Sequence, residues 1–310
     1  MGTVLVILSI AAVVALLFVF LSRRVKAADE KRHAMTDPIR TVVDRASLEE
    51  AFKVLGLEEH WPKALPLVRD QVVMHTTPIA LEELPLGASR IGGVPDLPRD
   101  MSWPMGPSGG PLGFLAQVDL EEAAPHEHSG LLPRSGWLCF FYGSAGADVD
   151  PETSAVLFVE GAAADMERKA VPDSVPEELR FKPCSIRYEG RVSLPLEFEH
   201  KDKLDLPLEQ GDLLMDPLMR DSAGNKLLGW PDSIQGPPEE EAVVAVFATR
   251  QGNGTIAVSR DDVRLLFQID SEEGKTGMMW GDAGMVYFLL PEADLKARRF
   301  DRGTAIVQCY

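Results

Sequence analysis

Ser89–Pro98 reads "SRIGGVPDLP" and Asn225–Ser233 reads "NKLLGWPDS". Each is followed by an apolar segment that ends in a polar pair. After the first comes "LGFLAQVDLEE" (Leu112–Glu122), after the second "VRLLFQIDSEE" (Val263–Glu273). The motifs align Gly93 with Gly229, Pro95 with Pro231, Asp96 with Asp232, Gln117 with Gln268 and Asp119 with Asp270. Each half then closes on an aromatic segment after a glycine, "GWLCFFYG" (Gly136–Gly143) and "GMVYFLL" (Gly284–Leu290). A long repeat that occurs only twice predicts a pseudo-symmetric globular domain and not a solenoid.

Working outward, β-branched and aromatic runs between turn residues predict strands. They fall at Val68–Thr76, Gly113–Val118, Gly136–Tyr142, Ala155–Val159, Ala242–Ala248, Val263–Ile269, Gly284–Leu290 and Thr304–Cys309. Arg180–Phe198 reads as two strands broken at the turn-like Glu189-Gly190. Ser47 and Glu50 predict a capping box opening a helix that ends at Gly56. Leu204–Met219 is ambiguous, with Leu208, Leu213, Leu214 and Leu218 able to form a helical face; Glu239–Glu241 reads as an exposed acidic loop, and Gly92–Gly113 is too rich in Gly and Pro to be regular structure throughout. The expected fold is a β-dominated α+β domain with mostly antiparallel sheets, internally duplicated.

Val4–Leu21 is uncharged and apolar apart from Ser9. About 20 residues of helix span about 30 Å, so residues 1–22 are expected to form a transmembrane anchor with a bilayer partner through residues 4–21. Arg23, Arg24, Lys26, Lys31 and Arg32 follow it, and positive flanks stay inside. The expectation is a single-pass inner-membrane protein, N-out and C-in. Residues 23–45 form a basic linker, and residues 46–310 form a cytoplasmic domain with repeats over about 85–160 and 220–310. Three cysteines without a CxxC pair fit a reducing compartment. A net charge of −17 argues against nucleic-acid binding.

These residues together resemble the YwqG-like family, a bacterial domain of unassigned function. The resemblance rests on "LGASRIGGVPDLP", Trp103-Pro104, "LGFLAQVDLEE", "SGWLCFFYG", "LLFQIDSEEG" and "MMWGDAGMVYFLLPEADL". It covers about residues 65–310, matches weakly between Gly161 and Leu218, and implies a β-rich duplicated domain. It implies no catalytic residues, and the anchor is an addition to the family pattern.

The candidate polar cluster is Gln117, Asp119, Gln268, Asp270, Trp280 and Asp282. Period-two spacing puts each Gln–Asp pair on one strand face, and a pseudo-twofold would let the pairs converge. Paired carboxylates serve as acid and base or hold a metal. Equally, glutamines satisfy buried backbone groups and aspartates cap turns at strand ends. The glycine loops Gly92, Gly93, Gly281 and Gly284 permit close approach or simple turns. His126 and His128 flank Glu127 without a third metal ligand, and Asn253-Gly254-Thr255 reads as a turn. No cofactor or metal is expected, and neither a GxSxG elbow nor a phosphate loop is present. Two readings follow. One is a binding module recognising a protein partner in a regulatory or immunity-like role. The other is a metal-assisted hydrolase using Asp119, Asp270 and Asp282.

Overall fold

The paired motifs build strands that occupy matching places in one sheet. The computed structural model describes residues 42–143, 153–195, 204, 206, 208–219, 224–244 and 258–310. In chain order the strands are β1 (Arg69–Pro78), β2 (Arg90–Ile91), β3 (Asp96–Pro98), β4 (Gly113–Asp119), β5 (Trp137–Tyr142) and β6 (Ser154–Val159). They continue with β7 (Met166–Arg168), β8 (Cys184–Ser193), β9 (Lys226–Leu228), β10 (Val263–Asp270), β11 (Met285–Pro291) and β12 (Thr304–Gln308). Helices are α1 (Arg45–Val54), α2 (Trp61–Ala64), α3 (Leu120–Ala123), α4 (Leu208–Met219), α5 (Pro238–Ala242) and α6 (Glu292–Lys296).

Ten strands form one sheet in the order β12-β11-β10-β9-β1-β8-β2-β4-β5-β6, and β3 pairs with β7 apart from it. Every pairing is antiparallel. The edge strands β6 and β12 approach each other, with Ala305 N–H donating to Ser154 Oγ at 3.1 Å, so the sheet is nearly a closed barrel. Its interior is aromatic at the centre. Phe140 lies 4.3 Å from Phe267 and 5.1 Å from Phe288 between ring centroids. Aliphatic side chains fill most of the core around these rings.

The order reads the same from both ends. β1 and β8 pair at the middle, with His75 opposite Arg187. Outward from them β9, β10, β11 and β12 mirror β2, β4, β5 and β6. The irregularity between Phe114 and Ala116 in β4 recurs between Leu265 and Phe267 in β10. β1 precedes β2 in the chain but pairs with β9, and β8 precedes β9 but pairs with β2. The two halves therefore exchange their leading strands, and the repeat units reach back to β1 and β8, beyond the limits of 85–160 and 220–310.

Several local expectations are corrected. β8 runs unbroken through Glu189 and Gly190, which pair with Val73 and Val72. Glycine stands there because a Cβ would come within 2.7 Å of His126 O, a close backbone approach inside a strand. The cap of α1 is Asp44, whose carboxylate accepts Ser47 N–H at 2.8 Å, so Ser47 is the third helical residue and not the cap. Residues Glu239–Glu241 lie in α5, where Glu239 is buried, and Ala242 ends that helix instead of opening a strand. Trp103 packs against Phe141 and donates Nε1–H to Leu112 O at 2.7 Å. Asn253-Gly254-Thr255 lies outside the described residues.

The membrane expectation is corrected as well. Among the described residues no helix is long and apolar enough to cross a membrane. The longest described helix, α4, has 12 residues and reaches about 18 Å, against a hydrocarbon core of about 30 Å. Residues 1–22, where the sequence reading places the anchor, lie outside the described residues. The transmembrane assignment, the bilayer partner through residues 4–21 and the inner-membrane localisation are not supported, and no described feature identifies a protein partner.

Candidate functional site

Gln117 lies on β4 with no exposure. Its Oε1 accepts Asp96 N–H at 2.8 Å, and its Nε2 donates to Ala88 O at 3.2 Å. Two residues on, Asp119 N–H donates to Ser89 Oγ at 2.9 Å. The Asp119 carboxylate caps α3 through Glu121 N–H at 2.9 Å. Burial raises its pKa above the ordinary value, and the nearby Glu122 adds to this. Asp96 itself is buried between two guanidinium groups, 2.9 Å from Arg90 and 3.0 Å from Arg168, and also accepts Gly87 N–H at 2.8 Å. Burial alone would push its pKa up, but the Arg168 and Arg90 partners outweigh it and hold the carboxyl below the usual range.

The second half repeats these bonds with other side chains. Gln268, also without exposure, accepts Asp232 N–H at 2.9 Å and donates to Gly224 O at 2.8 Å. Asp270 N–H donates to Asn225 Oδ1 at 2.8 Å. Lys226 takes the place of Arg90, with its Nζ 2.6 Å from Asp232. The Asp270 carboxylate accepts Ser271 N–H at 2.8 Å. Burial, with Glu272 and Asp232 nearby, pushes its pKa up to about 6.

The two Gln–Asp pairs therefore serve their own turns and are not combined in one site. Each glutamine holds the backbone of the Pro-Asp turn of its half, which is the backbone-satisfying role weighed for it from sequence. Trp280 is buried against Phe181 and Tyr142, and its Nε1 is a buried donor without a partner. Asp282 is exposed in the turn closed by Gly284 N–H to Trp280 O at 2.8 Å. Gly281 lies in the same turn with φ 57°. Gly92 and Gly93 have φ of 70° and 73°. A Cβ on Gly92 would collide with Lys182 O, so protein backbone and not a ligand makes the close approach. Among the described residues no three His, Cys, Asp or Glu side chains are grouped to hold a metal. His126 faces the Tyr188 ring, and Glu127 is taken up by Ser129 and Gly130. Two of the thiols do not fit reactive sites: Cys139 is buried and pushed up to about 12, and Cys184 is raised by burial too.

A charged group with spare capacity lies elsewhere. Where β1 and β10 begin and β9 ends, a pocket of about 360 Å³ opens, a size and a barrel-end position typical of ligand sites. Its polar wall is Arg69, Asp70, Arg264, His128 and Ser129, and its apolar wall includes Val68, Leu131, Leu228 and Leu265. The Arg69 guanidinium stacks on Trp230, 3.2 Å from the ring centroid, an orientation favoured by the ring's negative face. Trp230 is fixed by Nε1–H to Leu67 O at 2.8 Å and N–H to Ser193 Oγ at 3.0 Å. Arg69 Nη1 is shielded from solvent and has no hydrogen-bond partner among the described residues. Burial, with Arg264 nearby, lowers its pKa to about 9. The other charges of the wall are matched. Arg264 pairs with Glu292 and donates to Asp261 O at 2.6 Å; Asp70 takes a bidentate Arg45 at 2.6 and 2.9 Å. Next to the pocket, buried Gln71 Oε1 also lacks a partner, beside Gly229. In "LPLVRD" nothing marks Arg69. Only the pairing of β1 with β8 and β9 sets it at a mouth of the barrel.

The architecture and its paired networks define a duplicated, nearly closed antiparallel barrel with a pocket at one end. Residues 89–309 match the model of the family described as "Domain of unknown function (DUF1963)", and the chain belongs to that family. The match is consistent with the YwqG-like resemblance. It begins after β1, so Arg69 and Asp70 lie outside the matched residues. No curated protein matches the chain.

Proposed function

We propose that this DUF1963 domain is a binding module and not a hydrolase, with the Arg69 pocket as its recognition site. The observation that carries the reading is where unused polar capacity lies. Asp119 and Asp270 cap their own turns, Gln117 and Gln268 hold backbone, and Asp282 stands exposed on a separate turn. The Arg69 guanidinium, by contrast, is held against a pocket wall with one nitrogen unpartnered. That positive charge is held largely out of water in the pocket lining, and an anion bound there would offset the cost of its burial. Calorimetric titration of Mg²⁺, Mn²⁺, Ca²⁺ and Zn²⁺ into the full chain tests the choice. The binding-module reading expects no saturable site that depends on the three aspartates. A saturable isotherm lost in the Asp119→Asn, Asp270→Asn, Asp282→Asn triple variant would overturn it in favour of metal-assisted hydrolysis.

A further inference from the structure

We infer that the pocket at the Arg69 end of the barrel takes a small monocarboxylate with an apolar body, an inference that rests on the binding-module reading. Three features of the wall select this chemistry. The first is charge. Arg264 shares Glu292 with Lys296 and Asp70 pairs with Arg45, which among the described residues leaves the Arg69 guanidinium as the charge of the wall that no hydrogen-bonded carboxylate meets. Glu239, Glu292 and Asp261 act on it through space. One unmatched positive charge suits a monoanion. A phosphate dianion would bring a second negative charge toward Asp70 with no second unmatched cation to receive it.

The second feature is shape. A guanidinium presents its donors in a plane, and that plane matches the two oxygens of a carboxylate. Stacking on Trp230 at 3.2 Å holds the plane in place, so little side-chain freedom is left to lose on binding. The third is the remainder of the lining. Val68, Leu131, Leu228 and Leu265 give apolar surface around the charged point. Burying it against an alkyl or aryl group removes apolar surface from water and so favours a ligand with an apolar body. A volume of about 360 Å³ lies at the small end of ligand pockets, which limits the body to a short branched chain or a single ring.

The register of the sheet adds an internal control. Aligned through β1 and β8, Arg69 corresponds to Phe181; aligned through β4 and β10, Arg264 corresponds to Gly113. At that other place Phe181 is buried against Trp280 and its carbonyl accepts Gly93 N–H at 2.9 Å. The same framework is filled in one half and left open, with arginines, in the other.

The test is titration of the full chain with 4-methylpentanoate, 4-methylpentan-1-ol and inorganic phosphate, followed by calorimetry and by thermal shift. The carboxylate should bind saturably and at least about tenfold more tightly than either other probe, since the alcohol lacks the charge and phosphate lacks the apolar body. Arg69→Gln should weaken carboxylate binding by about tenfold or more, and Arg69→Lys by less, because it keeps the charge without the planar fork. Leu131→Trp should block the pocket while leaving every charge in place. Equal affinity for the alcohol would overturn the carboxylate assignment, and so would tighter binding of phosphate. Absence of carboxylate binding up to tens of millimolar, or binding unchanged in a folded Leu131→Trp variant, would overturn it too. If Arg69→Gln fails to fold, the probe comparison on the unaltered chain decides alone. None of these results bears on the metal titration, so the binding-module reading stands or falls separately.

Discussion

The two halves solve the same structural problem with different strengths. In the first, Asp96 and Arg90 are both without exposure and Arg168 clamps the carboxylate from the other side. In the second, Lys226 meets Asp232 alone, with 3% and 15% side-chain exposure, and Gln268 Nε2 supplies the other bond at 2.7 Å. The backbone bonds from the glutamines are alike. What differs is how completely the charges are removed from water, and that sets how much depends on them. A fully buried charge that loses its partner has no solvent to fall back on.

The largest effect that can break the comparison is therefore at Asp96. Asp96→Ala leaves Arg90 buried and unpaired, and is expected to cost about 3–5 kcal/mol. Asp232→Ala, in the wetter network, is expected to cost about 1–3 kcal/mol. Urea unfolding of the two variants gives the difference directly; equal losses would mean that burial does not distinguish the halves.

The glutamines should behave alike. Gln117→Leu and Gln268→Leu each leave the N–H of a Pro-Asp turn without its acceptor, at an expected cost of about 1–3 kcal/mol. Values differing by more than about 1 kcal/mol in chemical denaturation would show that the matching bond patterns are not energetically equivalent.

Asp270 sharpens the contrast through pH. Its carboxyl titrates at about 6 when folded, against an ordinary value of 3.8. Between about pH 4 and 6 the folded chain holds a proton that the unfolded chain has released, so stability falls as pH rises through this window. Asp96 has the opposite sign: its pKa is lowered, and the stability it contributes is lost as pH falls below the ordinary carboxylate range. Asp270→Asn keeps the Oδ1 acceptor for Ser271 N–H and removes the charge. Melting temperatures of wild type and variant from pH 4 to 7 should diverge toward pH 7, with the variant higher. A variant less stable than wild type at pH 7 would refute the assignment.

Asp282 is the smallest case. It is exposed, and its turn is closed by backbone bonds. Asp282→Asn should change stability by no more than about 0.5 kcal/mol; a larger loss in thermal unfolding would give this side chain a structural role that its surroundings do not show.

Much of the architecture was legible because it is local. β-Branched and aromatic runs between turn residues mark β4, β5, β10 and β11, and the aligned glycines and Pro-Asp turns mark the duplication. The capping role of Asp119 follows from an aspartate standing where a strand meets a turn. Glu189-Gly190 misled because a glycine demanded by His126 from across the fold looks the same in sequence as a glycine demanded by a turn. Ala242 misled because a short β-branched run carries no mark of the helix that precedes it.

The sequence by itself determined a β-rich duplicated domain, its strand-bearing motifs and the polar residues at their ends, since these depend on spacing along the chain. Only the tertiary structure decided that β1 and β8 exchange places, that the two Gln–Asp pairs serve separate turns, and that Arg69 stacks on Trp230 at the wall of a pocket. The first and the last depend on residues more than 100 positions apart, such as Arg69 and Ser193 or Arg69 and Trp230, and the second on side chains such as Gln117 reaching back across a loop to Asp96. Such pairings are selected by the burial of the whole core, and no local pattern in the chain encodes them.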